Sequence, residues 1–534
     1  MRKSPPPSRK ISSRSLVVFC RQLIRAAFVL LLVALASSAP ALGQKGSAAT
    51  AGGRQKLPSP DKIIGDYVKT VGGKKRLAAV RDAIYLWTAQ AKDGGDGTAT
   101  TRLKSPASAR VDIKLGGLEI SSGTTARSAW SLDREQASIR TLTGAESKAA
   151  RLQTTLDAAR LVDYKKHVLS AVTSGTEEVA GERAYVVEFR SRDGARLRYR
   201  FGATSKLLLQ ITDDARRIRV NFGDYRAQNG VLEPHRVELE LNGTEPLTLT
   251  LQSAKYNGGL DDSLFDAPSK EALDVKALLR EVIEREPQTN VKYGEYTFTA
   301  KETERELDDR GETKKETVYV WDIFLAPNGN GIGKLVSQNN SPLPAERAAK
   351  EEKRVADFLA ANEKAGPPTR KGQGGFHIRL GNYGFGLTDI LRASEFVAPR
   401  RERFQDRDAV VFDYRPRPDF KAKTKSDEIL KKLVGLIWID PADKVVMRIE
   451  ARSTDDFKVG GGLLMNISRG AGFVFERMRL PDGFWVPRLY QWNANGKGMI
   501  FMKMSVYEVT EWSNYQRFKT ESGDAKLDAP KQEQ

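Results

Sequence analysis

From Ile84 onward the chain alternates apolar and polar residues in short runs closed by Gly, Asp or Ser-Pro. Ile84–Gln90, Thr98–Leu103, Ala109–Leu115, Leu118–Thr125, Ser128–Leu132 and Ser138–Thr143 carry the period-2 pattern of half-buried strands. A helical stretch at Leu152–Val162 interrupts them. Strands then resume at Thr176–Val179, Ala184–Arg190, Leu197–Phe201, Lys206–Thr212, Ile218–Asp224, Leu232–Leu241 and Leu247–Tyr256. Ahead of this run, Ser59-Pro60-Asp61 is an N-cap with proline at the first helical position, and Ile63, Ile64, Tyr67 and Val68 supply an apolar face. Gly72-Gly73 stops that helix, a second short helix covers Lys75–Val80, and Asn257–Pro268 closes the stretch as a clasp.

A second stretch opens the same way. Asp274 caps an amphipathic helix lined by Val275, Leu278, Leu279, Val282 and Ile283, which Pro287 is expected to end. Strands follow at Tyr293–Leu307 and Glu316–Leu325, a charged helix at Pro344–Ala365 and another helix at Leu387–Phe396. Signals then repeat in fixed order. Gly181–Arg190, Tyr199–Phe201, Lys206–Gln210 and Asn229-Gly230-x-x-x-Pro234 match Asp406–Arg415, Ile437–Ile439, Lys444–Arg448 and Asp482-Gly483-x-x-x-Pro487. Such repetition predicts one architecture used twice. The spacing expands in the second copy, which places insertions around Lys421–Lys432 and Gly460-Gly-Gly462 on surface loops.

Charge is most informative at the N-terminus. Residues 1–25 hold seven cations and no acid, followed by the apolar run Ala26–Ala36 and small residues to Gly43. This predicts a secretory signal peptide over 1–43, since the run is shorter than the roughly 20 residues that span a bilayer. Residues 44–57 are expected to be a flexible linker, and 522–534 a disordered tail. Removing 1–43 takes the formal charge from +19 to +12 (19 − 7) and discards Cys20, the single cysteine. The mature chain would then lie in the periplasm, peripheral to the envelope membranes, with no disulfide and no transmembrane segment. Export disfavours nucleic acid as a partner, and cations interleaved with acids point to a mixed solvated surface.

Few residues suggest chemistry. His167, His235 and His377 are far apart and share no ligand spacing. Gly329–Lys334 lacks the Ser or Thr that follows lysine in a phosphate-binding loop, so it is expected to be a hairpin turn. Paired aspartates such as Asp213-Asp214 and Asp455-Asp456 lie at strand ends, and no Gly-x-Ser-x-Gly elbow occurs. No cofactor, metal or catalytic set is implied, and the chain is expected not to be an enzyme. Aromatic residues on strands are the candidate ligand-binding positions: Tyr85, Trp87 and Trp130 in the first stretch, Tyr319, Trp321 and Phe324 in the second. Ile84 and Leu86 face away from Tyr85 and Trp87, and a strand apolar on both faces is expected to be covered on both. Such positions serve either as plain core or as the lining of an apolar cavity for an acyl chain.

The layout resembles the LolA/LolB-like superfamily of bacterial outer-membrane lipoprotein-sorting proteins, in two tandem copies over 58–270 and 271–521. Carrying the resemblance are Ile64–Lys74, Tyr225-Arg226, Asp261–Phe265, and the Asn229–Pro234 and Asp482–Pro487 turns. The family implies an α+β fold of two tandem curved antiparallel β-sheet half-barrels, each with helices packed on the concave side. It further implies binding or transfer of lipid or lipoprotein acyl groups. The alternative it offers is an RseB-like periplasmic sensor or interaction module with an envelope protein partner and no lipid transfer.

Overall fold

The computed structural model describes residues 57–517, except 93, 134–137, 270–272, 292–295, 309, 326–330, 363–376, 381–382, 460–464 and 499–502. The expected signal peptide, most of the linker, the tail and Gly460-Gly-Gly462 lie outside the described residues. The chain divides into two compact units, the first running to 271 and including 310–312 and 398–402, the second holding the rest.

The first unit begins with α1 (Pro60–Thr70), whose cap Ser59 accepts from the Lys62 amide at 3.3 Å, and α2 (Lys74–Ala78). Six strands follow: β1 (Asp82–Gln90), β2 (Asp96–Lys104), β3 (Ser108–Leu115), β4 (Leu118–Thr124), β5 (Ala129–Asp133) and β6 (Ser138–Thr141). After α3 (Gly144–Ala158) come β7 (Ser170–Val179), β8 (Glu182–Arg190), β9 (Arg196–Gly202), β10 (Leu208–Asp213), β11 (Ile218–Gln228), β12 (Val231–Leu241) and β13 (Leu247–Tyr256). All pair in one 13-stranded antiparallel sheet, ordered β6-β5-β4-β3-β2-β1-β13-β12-β11-β10-β9-β8-β7. The first strand thus pairs with the last, and α3 links the two edge strands.

That link bends the sheet. α3 touches β3 and β9, which stand seven strand positions apart, about 34 Å in a flat sheet at the usual strand spacing. A 15-residue helix is only about 22 Å long, so the sheet must curl around it. Nothing from Glu146 to Ala158 is exposed. Ser147, Ala149, Ala150, Leu152, Thr154 and Leu156 are buried, and their small side chains let the helix sit as a plug on the concave face. Leu152 and Leu156 pack there on Val187, Phe189, Leu197, Tyr199 and Phe201, together with Ile63 and Ile64 of α1.

The second unit repeats the winding. It runs α4 (Val275–Val291), β14 (Tyr296–Leu307), β15 (Thr313–Leu325), β16 (Gly331–Gln338), β17 (Ser341–Pro342), α5 (Ala345–Asn362), β18 (His377–Leu380), β19 (Tyr383–Gly386) and α6 (Leu387–Ala393). It continues through β20 (Ser394–Phe404), β21 (Arg407–Pro416), α7 (Lys425–Leu430), β22 (Leu433–Asp440), β23 (Val445–Ser453), β24 (Phe457–Val459), β25 (Met465–Ile467), β26 (Gly472–Arg479), β27 (Trp485–Gly498) and β28 (Lys503–Arg517). The sheet order is β17-β16-β15-β14-β28-β27-β26-β23-β22-β21-β20, so the first strand again pairs with the last. One face of β21–β23 and β26 carries Phe412, Ile437, Ile449 and Phe475, packed with Val282 of α4, Ile390 of α6 and Ile429 of α7. β22 is buried along its whole length.

Turn geometry carries the repeat at residue level. Ala180-Gly181 and Gln405-Asp406 both hold two successive left-handed residues, the conformation of a type I′ hairpin turn. Lys206 and Lys444 are both left-handed, and their amides donate to Gly202 O at 3.2 Å and Asp440 O at 2.9 Å. The two insertions of the second copy are α7 and the β24–β25 hairpin. The third turn pair diverges. Asn229-Gly230 is a two-residue turn with both residues left-handed, whereas in Leu480–Phe484 only Gly483 is.

Several expected boundaries move. The helix expected at Leu152–Val162 spans Gly144–Ala158 and stops where Arg160 and Leu161 turn left-handed. A plug with no fully exposed residue after Ala145 carries small and polar side chains on its early turns, so these do not announce themselves as an apolar stripe. α4 continues past Pro287 to Val291; a proline near a helix end removes one backbone donor without ending the coil. Ser394–Phe396, expected at the end of a helix, begins strand β20. Leu86 is 43% exposed, so β1 is covered on one face only.

Candidate functional site

In the first unit the alternation of β1 sends Ala83, Tyr85, Trp87 and Ala89 to the concave face, all buried. Register places Trp87 opposite Leu251 on β13 and Ala99 on β2, with Ile113 beyond Ala99. Val237 and Leu249 complete a continuous apolar floor. The floor is not uniformly covered. Val111, Leu115, Val220, Phe222, Leu239 and Leu247 pack against it yet are only half-buried. Most of these lie toward the β1–β2 and β12–β13 turns.

The opposite end is closed. α1 and α2 cap it through Val71 and Leu77, which pack on Val231. Inside the cap, Glu233 Oε1 accepts from Tyr85 Oη at 3.0 Å, from Tyr256 Oη at 2.6 Å and from Arg160 Nη1 at 2.8 Å. Arg160 also donates to Tyr85 Oη, and its guanidinium lies 5.1 Å from the Tyr256 ring centroid. Burial pushes the Tyr85 hydroxyl well above the usual phenol range, so it stays a neutral donor. Tyr85 and Trp87 stack at 6.0 Å, joining this polar knot to the apolar floor. Arg160 reaches it because Arg160, Leu161 and Asp163 are all left-handed and fold the chain back after α3.

Trp130 sits on the other face. Strand register aligns it with Gly123, Arg110 and Arg102, which alternate away from Tyr85 and Trp87. It is fully buried there: Nε1 donates to Phe265 O at 3.0 Å and Arg110 lies 5.5 Å over the ring. The clasp is therefore real, with Phe265 buried against the convex side. Beside it lies a polar groove of about 300 Å³ lined by Arg102, Arg110, Asp112 and Ser121, where Asp112 accepts from both arginines.

In the second unit, Tyr319 and Trp321 share one face of β15 with rings 6.1 Å apart, while alternation puts Phe324 on the other. All three are half-buried. Trp321 Nε1 donates to Glu302 Oε2 at 3.3 Å. Register brings Glu304 opposite Glu508, which in turn faces Trp492. Burial raises the carboxyl pKa of Glu302, helped by the nearby Glu304; burial and then both neighbouring carboxylates raise that of Glu508. This face is aromatic and acidic rather than hydrocarbon-like.

Sequence reasoning found Tyr85 and Trp87 but missed Arg160 and Glu233. Glu233 had one available signal: it alternates with apolar Val231 and Val237 on an inward face, where an acid requires a partner. Among the described residues no group of three His, Cys, Asp or Glu could hold a metal ion, and no helix is long and apolar enough to cross a membrane.

The chain matches no family model and no curated protein sequence. Solved structures similar to it include a LolA superfamily protein from Nitrosomonas europaea (14% identity, 40% of this chain and 99% of that one, TM-score 0.27). A DUF1329 family protein from Desulfovibrio piger is similar at 13% identity, over 39% of this chain and 96% of that one, TM-score 0.27. The MucA/MucB complex of Pseudomonas aeruginosa is similar at 8% identity, over 84% of this chain and 93% of that one, TM-score 0.17. The fold is α+β, two open curved antiparallel sheets with helices on the concave side.

Proposed function

We propose that the protein is an exported, non-catalytic binding protein whose first unit takes an apolar acyl chain of a lipid or lipoprotein on its concave face. The observation that carries this is the floor of Trp87, Ile113, Val237, Leu249 and Leu251, flanked by half-buried Phe222, Leu239 and Leu247 and closed at one end by the Arg160–Glu233 knot. Burial of hydrocarbon there contributes about 0.8 kcal/mol per methylene. A brominated fatty acid should quench the tryptophan fluorescence of the protein in a saturable way, and Phe222→Asp with Leu247→Asp should abolish the quenching. Absence of saturable quenching in the folded wild-type protein would overturn the reading.

The second unit supports a different use. Glu302, Glu304 and Glu508 beside Tyr319, Trp321 and Trp492 would penalise a hydrocarbon chain and favour a polar partner, such as a segment of another envelope protein. Pull-down of one specific partner, lost on Trp321→Ala with Glu302→Gln and retained on Phe222→Asp, tests this reading.

A further inference from the structure

The cap that closes the first unit carries a net positive charge on its outside. α2 presents Lys74, Lys75 and Arg76, all exposed, and the turn that follows α3 presents Lys165 and Lys166. These segments are adjacent, because Asp163 accepts from Lys74 at 2.6 Å and from Lys166 at 3.2 Å. Asp61 of α1 ties in the same turn, accepting from Lys165 at 2.6 Å and from Tyr164 at 2.7 Å. Five cations against two acids leave the cluster at +3 (5 − 2). The paired lysines still stand in solvent: the side chains of Lys74, Lys165 and Lys166 are 67%, 68% and 74% exposed.

We propose that this cap docks the first unit on an anionic phospholipid bilayer. The apolar residues of the cap, Val71, Leu77 and Val231, are buried beneath the charges, and no large apolar side chain is exposed in α1, α2 or the 160–167 turn. A protein partner draws its affinity from a desolvated apolar or aromatic centre, which this surface lacks. Exposed lysine point charges instead suit a diffuse sheet of phosphates, where each contributes about fivefold in affinity near the surface. The cap lies at the end of the sheet opposite the half-buried apolar rim, so docking leaves that rim open to the aqueous side. The inference stands apart from acyl binding and does not require it.

The test is co-sedimentation of the full chain with phosphatidylcholine vesicles, with and without phosphatidylglycerol. The comparison is between Lys74→Glu/Lys165→Glu/Lys166→Glu and an equal charge change elsewhere, Lys350→Glu/Lys353→Glu/Lys425→Glu. The cap variant should lose on the order of tenfold or more in affinity for anionic vesicles, and the control should lose far less. Raising ionic strength should weaken wild-type binding. If reversal at the cap disturbs folding by circular dichroism, the Lys→Gln variant at the same three positions replaces it. Quenching by the brominated fatty acid should be unchanged in the cap variant, which separates this inference from the acyl-binding reading. Equal losses in cap and control variants, or equal binding to neutral and anionic vesicles, would overturn it, the latter pointing to a non-electrostatic contact.

Discussion

Tyr85 and Glu233 are 148 positions apart in the chain, yet the Tyr85 hydroxyl donates to the Glu233 carboxylate at 3.0 Å in a buried contact. This bond ties the first strand of the first sheet to the twelfth and fixes the closed end of the apolar floor. Glu233 also carries the counter-charge for Arg160, with side chains only 9% and 12% exposed.

Breaking that pair is therefore costly. Glu233→Gln should leave Arg160 buried without its counter-ion and destabilise the first unit by about 3–5 kcal/mol. Arg160→Met in the same chain should recover most of the loss. Urea midpoints of the two variants check the order.

Gly123 tests the convex clasp. A Cβ there would meet the Trp130 indole at 2.5 Å, so Gly123→Ala must push a fully buried ring. A cost of about 1–3 kcal/mol follows from overpacking, with an altered near-ultraviolet circular dichroism signal from Trp130. Trp87→Phe, which keeps most of the floor, should cost less.

The plug helix gives a pH dependence. Burial pushes the Asp157 carboxyl up to about 6, against the lowering effect of the Tyr199 hydroxyl, which donates to it at 3.1 Å. A folded pKa above the unfolded value means that the folded state holds the proton more tightly. Its contribution is then full below about pH 4 and is lost as pH rises through about 6. Asp157→Asn should accordingly raise stability at pH 7.5 by up to about 2 kcal/mol, read as a higher thermal midpoint, and flatten the slope between pH 4 and 6. Asp427 works in the opposite sense. Hydrogen bonding from Arg392 holds it down at about 2, so its contribution to the second unit is present above about pH 4 and fades toward pH 2.

The hairpin turns offer a gain. Asp406 is left-handed where the first copy has Gly181. Asp406→Gly should stabilise the second unit by about 0.5–1 kcal/mol, because glycine takes that conformation at no steric cost. A shifted denaturation midpoint checks it.

Much of this architecture is written locally. Alternation along β1 and β8 is visible in the sequence because neighbouring side chains on a strand point to opposite faces. The matched turns at 180–181 and 405–406, and at Lys206 and Lys444, recur because backbone sign at a turn is set by a few residues. The duplicated order of signals could therefore be read before any coordinates. The acidic character of the Tyr319–Trp321 face could not, because Glu302, Glu304 and Glu508 come from strands two hundred positions apart.

Most strands and the order in which they repeat were legible in the chain alone, since strand alternation and turn conformation are properties of short segments. Which face is concave was settled by the folded sheet. It placed Trp130 outside and Tyr85 inside, and made α3 a plug rather than a surface helix. It also brought Arg160 to Glu233. Each of these depends on how a 13-stranded sheet curls around one helix, and that curvature is a sum over pairings between distant strands. No window of the chain contains it.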